Sequence, residues 1–521
     1  MKAKTTAAKP LDLIGNGIKP DREILTSVME QWRHRIAYCS LFTAISAVLS
    51  GSLAEARNEP SKPRAGRVGE HGAPHQKLNL PLINRSLLKR QSEFRLPHQN
   101  GNLSPAFAGN DDCPGKSIPA GTYTSSAPFI DSGDTTGAND TINRLFYYYY
   151  SITYPAHGPD HVYSFTITNR GANPEIRVSA TTSSYKPLVY IIDAQFGRCP
   201  ANTGNQADSW WTMAQSQTPG GTITFPSDQL KYLPLGVPLY LFIDGAENDA
   251  SGSGAYTVRM QDMTVAPQCS AENPIDCPGF FVHQHYYDFL NRQPEENGFN
   301  AWLGVMNNCA SGDLVCQHEQ RLTTSAGFFG SQEFQLKGYF IFRFYRVAFG
   351  RLPEYWEIQN DAWYVSGGTP DEVYAHKADF ANGFPTRTEF IGKYNGLSNA
   401  EYVAALLNKY GLNSITTPDP FHPNGDAKVT LTQAQLVALL DTLQLTRGQI
   451  LRAIADSDQI FQSELNRAFV AMQYYGYLRR TPEELGYNMW LGYLNTHPGD
   501  FREMVRGFVD SWEYRHRFGT P

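Results

Sequence analysis

Phe281-Val-His-Gln-His-Tyr-Tyr-Asp-Phe-Leu-Asn-Arg-Gln-Pro-Glu-Glu-Asn-Gly-Phe-Asn-Ala-Trp-Leu-Gly-Val-Met306 returns near the C-terminus as the segment Phe469 to Leu494, without a gap and with 14 of 26 positions identical. Average composition would give about one or two such identities. Each segment reads as two helices and the turn between them. Val282, Tyr286 and Leu290 recur every four residues and form one apolar stripe. Pro294 and Pro482 are placed to open the second helix, where a missing N–H costs nothing. Thr481-Pro-Glu-Glu484 has the form of a capping box, with Thr481 as the cap and Glu484 three positions on. Trp302 and Trp490 fall on that second helix and should bury against the stripe. One such pair cannot cover its own apolar face, so units must stack on one another.

Working outward, Gly327-Phe328-x-x-Ser331-x-Glu333-Phe334 is matched by Gly507-Phe508-x-x-Ser511-x-Glu513-Tyr514. The first block is offset by 188 residues and the second by 180, so the first copy holds eight extra residues between its blocks. Cys309 and Cys316 fall in that interval and are expected to staple an inserted loop. Two weaker copies lie between: Phe340 to Tyr345 with Phe349-Gly-Arg351-Leu-Pro353-Glu354 and Gly383-Phe384 to Glu389-Phe390, then Tyr402 to Leu407 with Ile450 to Phe461. The third unit lacks the Arg-x-Pro-Glu turn. The expected array has four copies, 281–335, 340–395, 402–461 and 469–519.

Residues 113–268 have a different texture. Short β-rich runs such as His161 to Ile167, Leu188 to Ile192, Leu239 to Ile243 and Ala255 to Val258 are separated by turn signals such as Asp244-Gly245. Val162, Ser164 and Thr166 alternate with Tyr163, Phe165 and Ile167, the period of a half-buried strand. No amphipathic helix intervenes, so an antiparallel β-sandwich is expected, followed by an all-α tandem repeat over residues 269–521.

Gly158-Pro-Asp-His-Val-Tyr-Ser-Phe165, Tyr240-Leu-Phe-Ile-Asp-Gly245 and Gly254-Ala-Tyr-Thr-Val258 together resemble the bacterial pre-peptidase C-terminal type of domain, over most of residues 113–262. That resemblance implies a jelly-roll-like accessory module on secreted proteins, some relatives of which bind calcium or polymers. The repeated pattern F-V-x-x-x-Y-x-x-x-L-x-R-x-P-E-x-x-G-x-x-x-W-L is similar to the domain of unknown function 4214 family, over most of residues 274–519. It implies an extracellular helical module with no established catalytic residues.

The chain has 521 residues, 18% of them charged, with a formal net charge of −6. A dedicated nucleic-acid binder normally shows a basic surplus, so no nucleic-acid partner is expected. The only long apolar run, Ile36 to Ala54, follows Arg33-His-Arg35 and ends in Ala54-Glu-Ala56. A basic start, a short apolar core and a small-x-small end read as a secretory signal within residues 1–56. Met29 offers a start that gives a signal of 28 residues; an uncleaved anchor is the other reading. Residues 57–112 are rich in Pro, Arg, Asn, Gln and His and read as a disordered linker. Once the signal leaves with Cys39, six cysteines remain: Cys113, Cys199, Cys269, Cys277, Cys309 and Cys316. An even number in an exported chain suggests disulfides, Cys309–Cys316 first and Cys269–Cys277 second.

Candidate chemistry is sparse. His283 and His285 point apart on a helix and are expected at the surface or as caps. His318-Glu319 lacks the second His of a zinc motif, Leu322 standing there, and Gly115-Lys-Ser117 lacks the first Gly of a phosphate loop. Glu333, Glu389 and Glu513 suggest the carboxylates of a glycosidase, yet catalytic acids do not recur once per repeat. An ion pair with Arg292 or Arg480 is the preferred reading. Asp131, Asp134, Asn139 and Asp140, and separately Asp244, Glu247, Asn248 and Asp249, supply oxygens suited to calcium, the one cofactor considered. Solvated turn residues are preferred there. Asp419 to Asp426 lacks the alternating ligands of a calcium-binding loop. Tyr286, Arg292, Pro294, Gly298, Trp302 and Glu333, with Tyr474, Arg480, Pro482, Gly486, Trp490 and Glu513, are assigned to holding the repeats together. The expected function is that of a secreted or cell-surface bacterial protein, more readily non-enzymatic, binding an extracellular polysaccharide or protein. A secreted hydrolase of carbohydrate or peptide and a self-assembling envelope component are the alternatives.

Overall fold

The computed structural model describes residues 114–147, 152–193, 206–207, 211–249, 251–310, 312–367 and 369–520. The expected signal segment, the linker, Cys113 and Cys199 lie outside these residues. The N-terminal half contains strands β1 (Lys116–Ser117), β2 (Gly121–Tyr123), β3 (Phe129–Asp134), β4 (Arg144–Tyr147), β5 (Ile152–Pro155), β6 (His161–Asn169) and β7 (Glu175–Ala180). It continues with β8 (Pro187–Asp193), β9 (Gln206–Ala207), β10 (Thr212–Gln215), β11 (Thr222–Phe225), β12 (Pro238–Gly245), β13 (Ala255–Gln261) and β14 (Met263–Val265). One sheet runs β10-β8-β12-β6-β14-β2 with β1 beside β6, the other β11-β7-β13-β3. Pairing is antiparallel except for two short contacts, β1 with β6 and β4 with β9.

The β6 strand departs from the half-buried expectation. Val162, Tyr163, Ser164 and Phe165 are all buried, so both faces are covered. Tyr163 and Phe165 face the opposite sheet, where the Tyr163 hydroxyl meets that of Tyr256 at 3.2 Å. On the outer face Val162, Leu188, Tyr190, Ile192, Tyr240 and Phe242 pack under Ile142, Leu145 and Ala156, from the segment that forms β4 and leads to β6. That cover explains why β8 and β12 are near-continuous apolar runs.

The sandwich leads directly onto the helical half. Cys269 and Cys277 form a disulfide with Cα atoms 5.7 Å apart, bracketing the short turn Pro274–Asp276. Gly236 lies against Gly279, and a side chain at either position would strike the other backbone. The Arg170 N–H donates to Glu296 at 2.8 Å, and Asn300 Nδ2 donates to the Thr168 carbonyl at 3.0 Å.

Helices α1 (Pro278–His285), α2 (Glu296–Met306) and α3 (Leu314–Gly330) make the first copy. The second contains α4 (Phe340–Phe349), α5 (Tyr355–Tyr364), α6 (Pro370–Gly383) and α7 (Thr388–Tyr394). Next come α8 (Asn399–Leu407), α9 (Gln433–Asp441) and α10 (Arg447–Ala455). The last copy contains α11 (Asp458–Gln473), α12 (Glu484–Thr496), α13 (Phe501–Val509) and α14 (Trp512–His516). The third unit is not wholly helical: β15 (Ser414–Pro418) and β16 (Lys428–Thr432) form an antiparallel hairpin between α8 and α9. Their alternating Thr, Ile, Val and Leu residues suit a strand better than a helix.

Two local expectations are corrected. The helices after the repeated turn begin at Glu296 and Glu484, with Glu295 and Glu483 at the cap positions. Pro294 and Pro482 therefore precede the cap, and Thr481 caps nothing. Its hydroxyl instead accepts from the Tyr355 N–H at 3.0 Å and donates to Glu354 at 2.7 Å, linking the last copy to the second. The extra residues of the first copy largely lengthen a helix: α3 has 17 residues against nine in α13. The Cys309–Cys316 disulfide ties the loop before α3 to its first turn.

Stacking does not simply follow chain order. The first copy packs against the last, whose Phe518 ring meets Phe280 edge-on at 5.6 Å. Arg515 pairs with Asp276 through both guanidinium nitrogens, at 2.9 and 2.8 Å. Asn273 donates to the carbonyls of Arg515 and Thr520.

Candidate functional site

The repeated side chains assemble into the same small machine three times. In the first and last copies the helix before the turn widens into a π-helical stretch, Tyr286–Leu290 and Tyr474–Leu478, while in the second it stays α-helical to Phe349; in all three the chain then turns through a left-handed residue. Asn291 (φ 54°), Gly350 (φ 79°) and Arg479 (φ 52°) occupy that position. The following Arg swings back over the Tyr ring, with its guanidinium carbon 4.9 Å from the Tyr286 centroid, 5.3 Å from Tyr345 and 5.1 Å from Tyr474. It grips a carboxylate 41, 38 and 33 residues on, respectively. Arg292 meets Glu333 at 2.9 and 2.8 Å, Arg351 meets Glu389 at 3.1 and 2.5 Å, and Arg480 meets Glu513 at 2.6 and 3.0 Å. A planar fork on a carboxylate fixes orientation as well as distance.

The glycines of the motif have a steric reason. A Cβ on Gly298 would collide with the Tyr286 hydroxyl and with Glu295, and one on Gly486 with the Tyr474 hydroxyl and Glu483. Those Tyr–Glu pairs are hydrogen bonds of 3.3 and 3.1 Å. The second copy solves the same problem differently. Glu357 stands where the glycine would be and binds Arg351 at 2.7 and 2.9 Å, while the Tyr345 hydroxyl donates to Asp361 at 2.9 Å. Trp302 and Trp490 occupy equivalent surroundings, over Phe328 at 5.4 Å and Phe508 at 6.0 Å. Gly327 and Gly507 lie beneath those indoles and leave no room for a side chain.

His283 and His285 are buried rather than superficial. Burial lowers the two imidazoles to about 3 and about 4. His285 Nδ1 lies 2.8 Å from the Phe281 carbonyl and Nε2 2.6 Å from the Ser325 hydroxyl, so the ring is a core tether. Sequence reasoning missed this because polarity alone argues for the surface.

The acidic loops of the sandwich do not gather into a cation cage. Asp131 accepts from Lys116 at 2.5 Å and from Tyr163 at 2.9 Å; burial would raise its carboxyl, and these bonds hold it low. Asp134 accepts from the Thr136 N–H at 2.9 Å. Asp249 closes a turn on Ser251 at 2.7 and 2.6 Å. Asp140 is raised by partial burial. Asp244 is fully buried, accepts from Tyr190 at 3.0 Å, and is driven well upward by desolvation. Among the described residues no group of three or more His, Cys, Asp or Glu is arranged to hold a metal ion. The residue that sequence reasoning overlooked is Asp160. Its Oδ2 accepts from the Thr141 and Ile142 N–H groups at 2.8 and 3.0 Å, pinning the strand cover in place, while Oδ1 is buried with no hydrogen-bond partner among the described residues. Burial lifts this carboxyl to about 7.

What the repeats leave outside is aromatic. Trp356 and Trp363 lie seven residues apart on α5 and share a face, with Tyr364 beside them. Leu485 and Met489 on α12 and Trp512 on α14 are also exposed.

Residues 452–518 match the model of a family described as a domain of unknown function (DUF4214). The DUF4214 segment runs from within α10 through α14 and contains the Arg480–Glu513 clasp whole. The first copy, with its shared Tyr, Arg, Pro, Gly and Trp residues, reproduces the geometry of the matched segment at Arg292–Glu333. No curated protein matches the chain.

Proposed function

We propose that this is an exported, non-catalytic bacterial surface protein that binds an extracellular polysaccharide or protein, with a sandwich of the pre-peptidase C-terminal type carrying the DUF4214-like helical half. The observation that supports it is the α5 face, where Trp356, Trp363 and Tyr364 remain 64%, 38% and 46% exposed in a molecule that buries most of its other rings. A row of large exposed rings marks contact surface rather than core. The hydrolase reading loses its carboxylates, since Glu333, Glu389 and Glu513 are each held by an arginine. The apolar run before Ala56 supports export, and the two disulfides suit an oxidising compartment. No helix among the described residues is long and apolar enough to cross a membrane.

The test is retention of the full mature chain on envelope polysaccharides and on peptidoglycan, with and without calcium. Retention should fall at least tenfold in Trp356→Ala and Trp363→Ala. Equal retention of these variants would remove the α5 face from the reading, and no retention of the unaltered protein on any polymer would overturn it.

A further inference from the structure

A cavity of about 290 Å³ opens between α6, the loop joining β15 to β16, and α10. That is near the lower end for a ligand pocket and suits one ring rather than a chain. One wall is stiff and apolar: Pro418, Pro420 and Pro423, with Phe421, 52% exposed, at the rim. The opposite side is amide-rich. Asn382, Asn424 and Gln444, all exposed, and half-buried Gln449 line it. The oxygens of Asn382 and Gln449 already accept from Thr446, and that of Asn424 from Arg452, which leaves chiefly the NH2 groups to meet a ligand. Several NH2 donors suit a ligand carrying several hydroxyl oxygens.

The charge at the floor is unbalanced. Arg452 lines the cavity, with Nη2 2.8 Å from Asn424 Oδ1 and Nε 3.4 Å from Asp456 Oδ2, while its Nη1 donates to no group among the described residues. Asp456 is already engaged by Arg343 at 2.7 Å and lies within the field of buried Lys377. Three cations thus share one carboxylate, aided by the C-terminal end of α10, which Asp456 caps. The neighbouring carboxylates are committed elsewhere, Glu464 to Arg346 and Asp458 to Lys428. Burial lowers Lys377 to about 8, as expected where positive charge is in excess.

We propose that this cavity binds a single carboxylated sugar ring, with the carboxylate on Arg452, the hydroxyls on the four carboxamides and the ring face on Phe421. Such a residue is either a free sugar acid or the end unit of an acidic polysaccharide. The second source rests on the polymer-binding reading above; the first does not.

Isothermal titration of the full mature chain with D-galacturonate, D-galactose and trigalacturonate tests it. Galacturonate should bind at least tenfold more tightly than galactose. Phe421→Ala, at an exposed site that leaves the core intact, and Asn424→Ala should each weaken it tenfold, and Arg452→Gln should abolish the preference for the acid. Trigalacturonate binding as well as the monomer marks a chain end, and its failure beside monomer binding marks a free sugar acid; either supports the cavity assignment. Equal binding of acid and neutral sugar, or galacturonate binding untouched by Phe421→Ala, overturns it, as does the absence of heat with any of the three. Polymer retention that needs Trp356 but not Phe421, without galacturonate binding, would sink the cavity proposal and leave the α5 reading standing.

Discussion

Arg479 of the last copy reaches into the first and places Nη2 2.8 Å and Nε 3.0 Å from Asp288 Oδ1. Asp288 is wholly buried; burial would raise its carboxyl, and Arg517 and Arg479 together hold it low. The same position in the first copy is Asn291, whose buried amide has no hydrogen-bond partner among the described residues. The two π-helical stretches pack against each other, but Gly476 stands where a second aspartate would be, because Phe289 fills that space. The cross-copy pairing is therefore one-sided. Arg479 makes it from the left-handed position that the turn imposes in three copies, at a backbone cost of about 1 kcal/mol.

Asp288→Asn or Arg479→Ala should destabilise the protein by about 3–5 kcal/mol, the usual consequence of stranding one member of a buried pair. Chemical denaturation of the full mature chain measures it. A change under about 1 kcal/mol would mean the pair does not hold the copies together.

Gly298→Ala and Gly486→Ala should each cost about 1–3 kcal/mol by forcing the Tyr–Glu pair aside. Gly304 and Gly492 lie in the same helices with open space around them. Alanine there should be neutral or stabilise by up to about 1 kcal/mol. Melting temperatures of the four variants should separate into these two classes.

Glu333→Gln should destabilise more than Glu513→Gln. The Glu333 side chain is 28% exposed and also binds Lys337 at 2.6 Å, whereas Glu513 is 44% exposed and more open to solvent. We expect about 1–3 kcal/mol for the first and under about 1 kcal/mol for the second. Polymer retention should survive both. Retained stability with lost binding would give these carboxylates a direct functional role instead.

Asp160 should imprint a pH dependence. Its folded carboxyl titrates near 7 against an ordinary 3.8, so the folded protein keeps a proton that the unfolded chain releases. That contribution is complete below pH 3.8 and is lost as pH rises through 7. Asp160→Asn should therefore gain stability relative to the unaltered chain between those limits, and the gain should level off above. His283 and His285 act in the opposite sense: lowered below 6.5, they favour the fold above that pH and lose the contribution as it falls. Stability curves for Asp160→Asn at pH 4.5, 6 and 8 check the sign.

Repetition made the helical half legible. Two copies that share Arg, Glu, Gly and Trp in register left little for those residues to do except the same job twice, and the Arg292–Glu333 and Arg480–Glu513 clasps do it. Features that occur once left no such trace. The Arg479–Asp288 contact and the Arg452 cavity join residues distant in sequence, and the β15–β16 hairpin, though local, is matched in no other copy. The misplaced cap at Thr481 has a local cause: the chain leaves the left-handed turn at Arg479 and starts the helix two residues later than the pattern suggests, so a good capping pattern is used instead to bind the second copy. Asp160 drew no reading of its own beyond its place in the Gly158–Phe165 motif, because nothing in its neighbours announces that a strand cover will bury it.

The contact of Asn273 and Asp276 with Arg515 fixes the number of copies. An open solenoid can gain or lose a unit and remain a shorter or longer version of itself. Here the beginning is fastened to the end, so deleting a unit would part the fastening and inserting one would leave a gap.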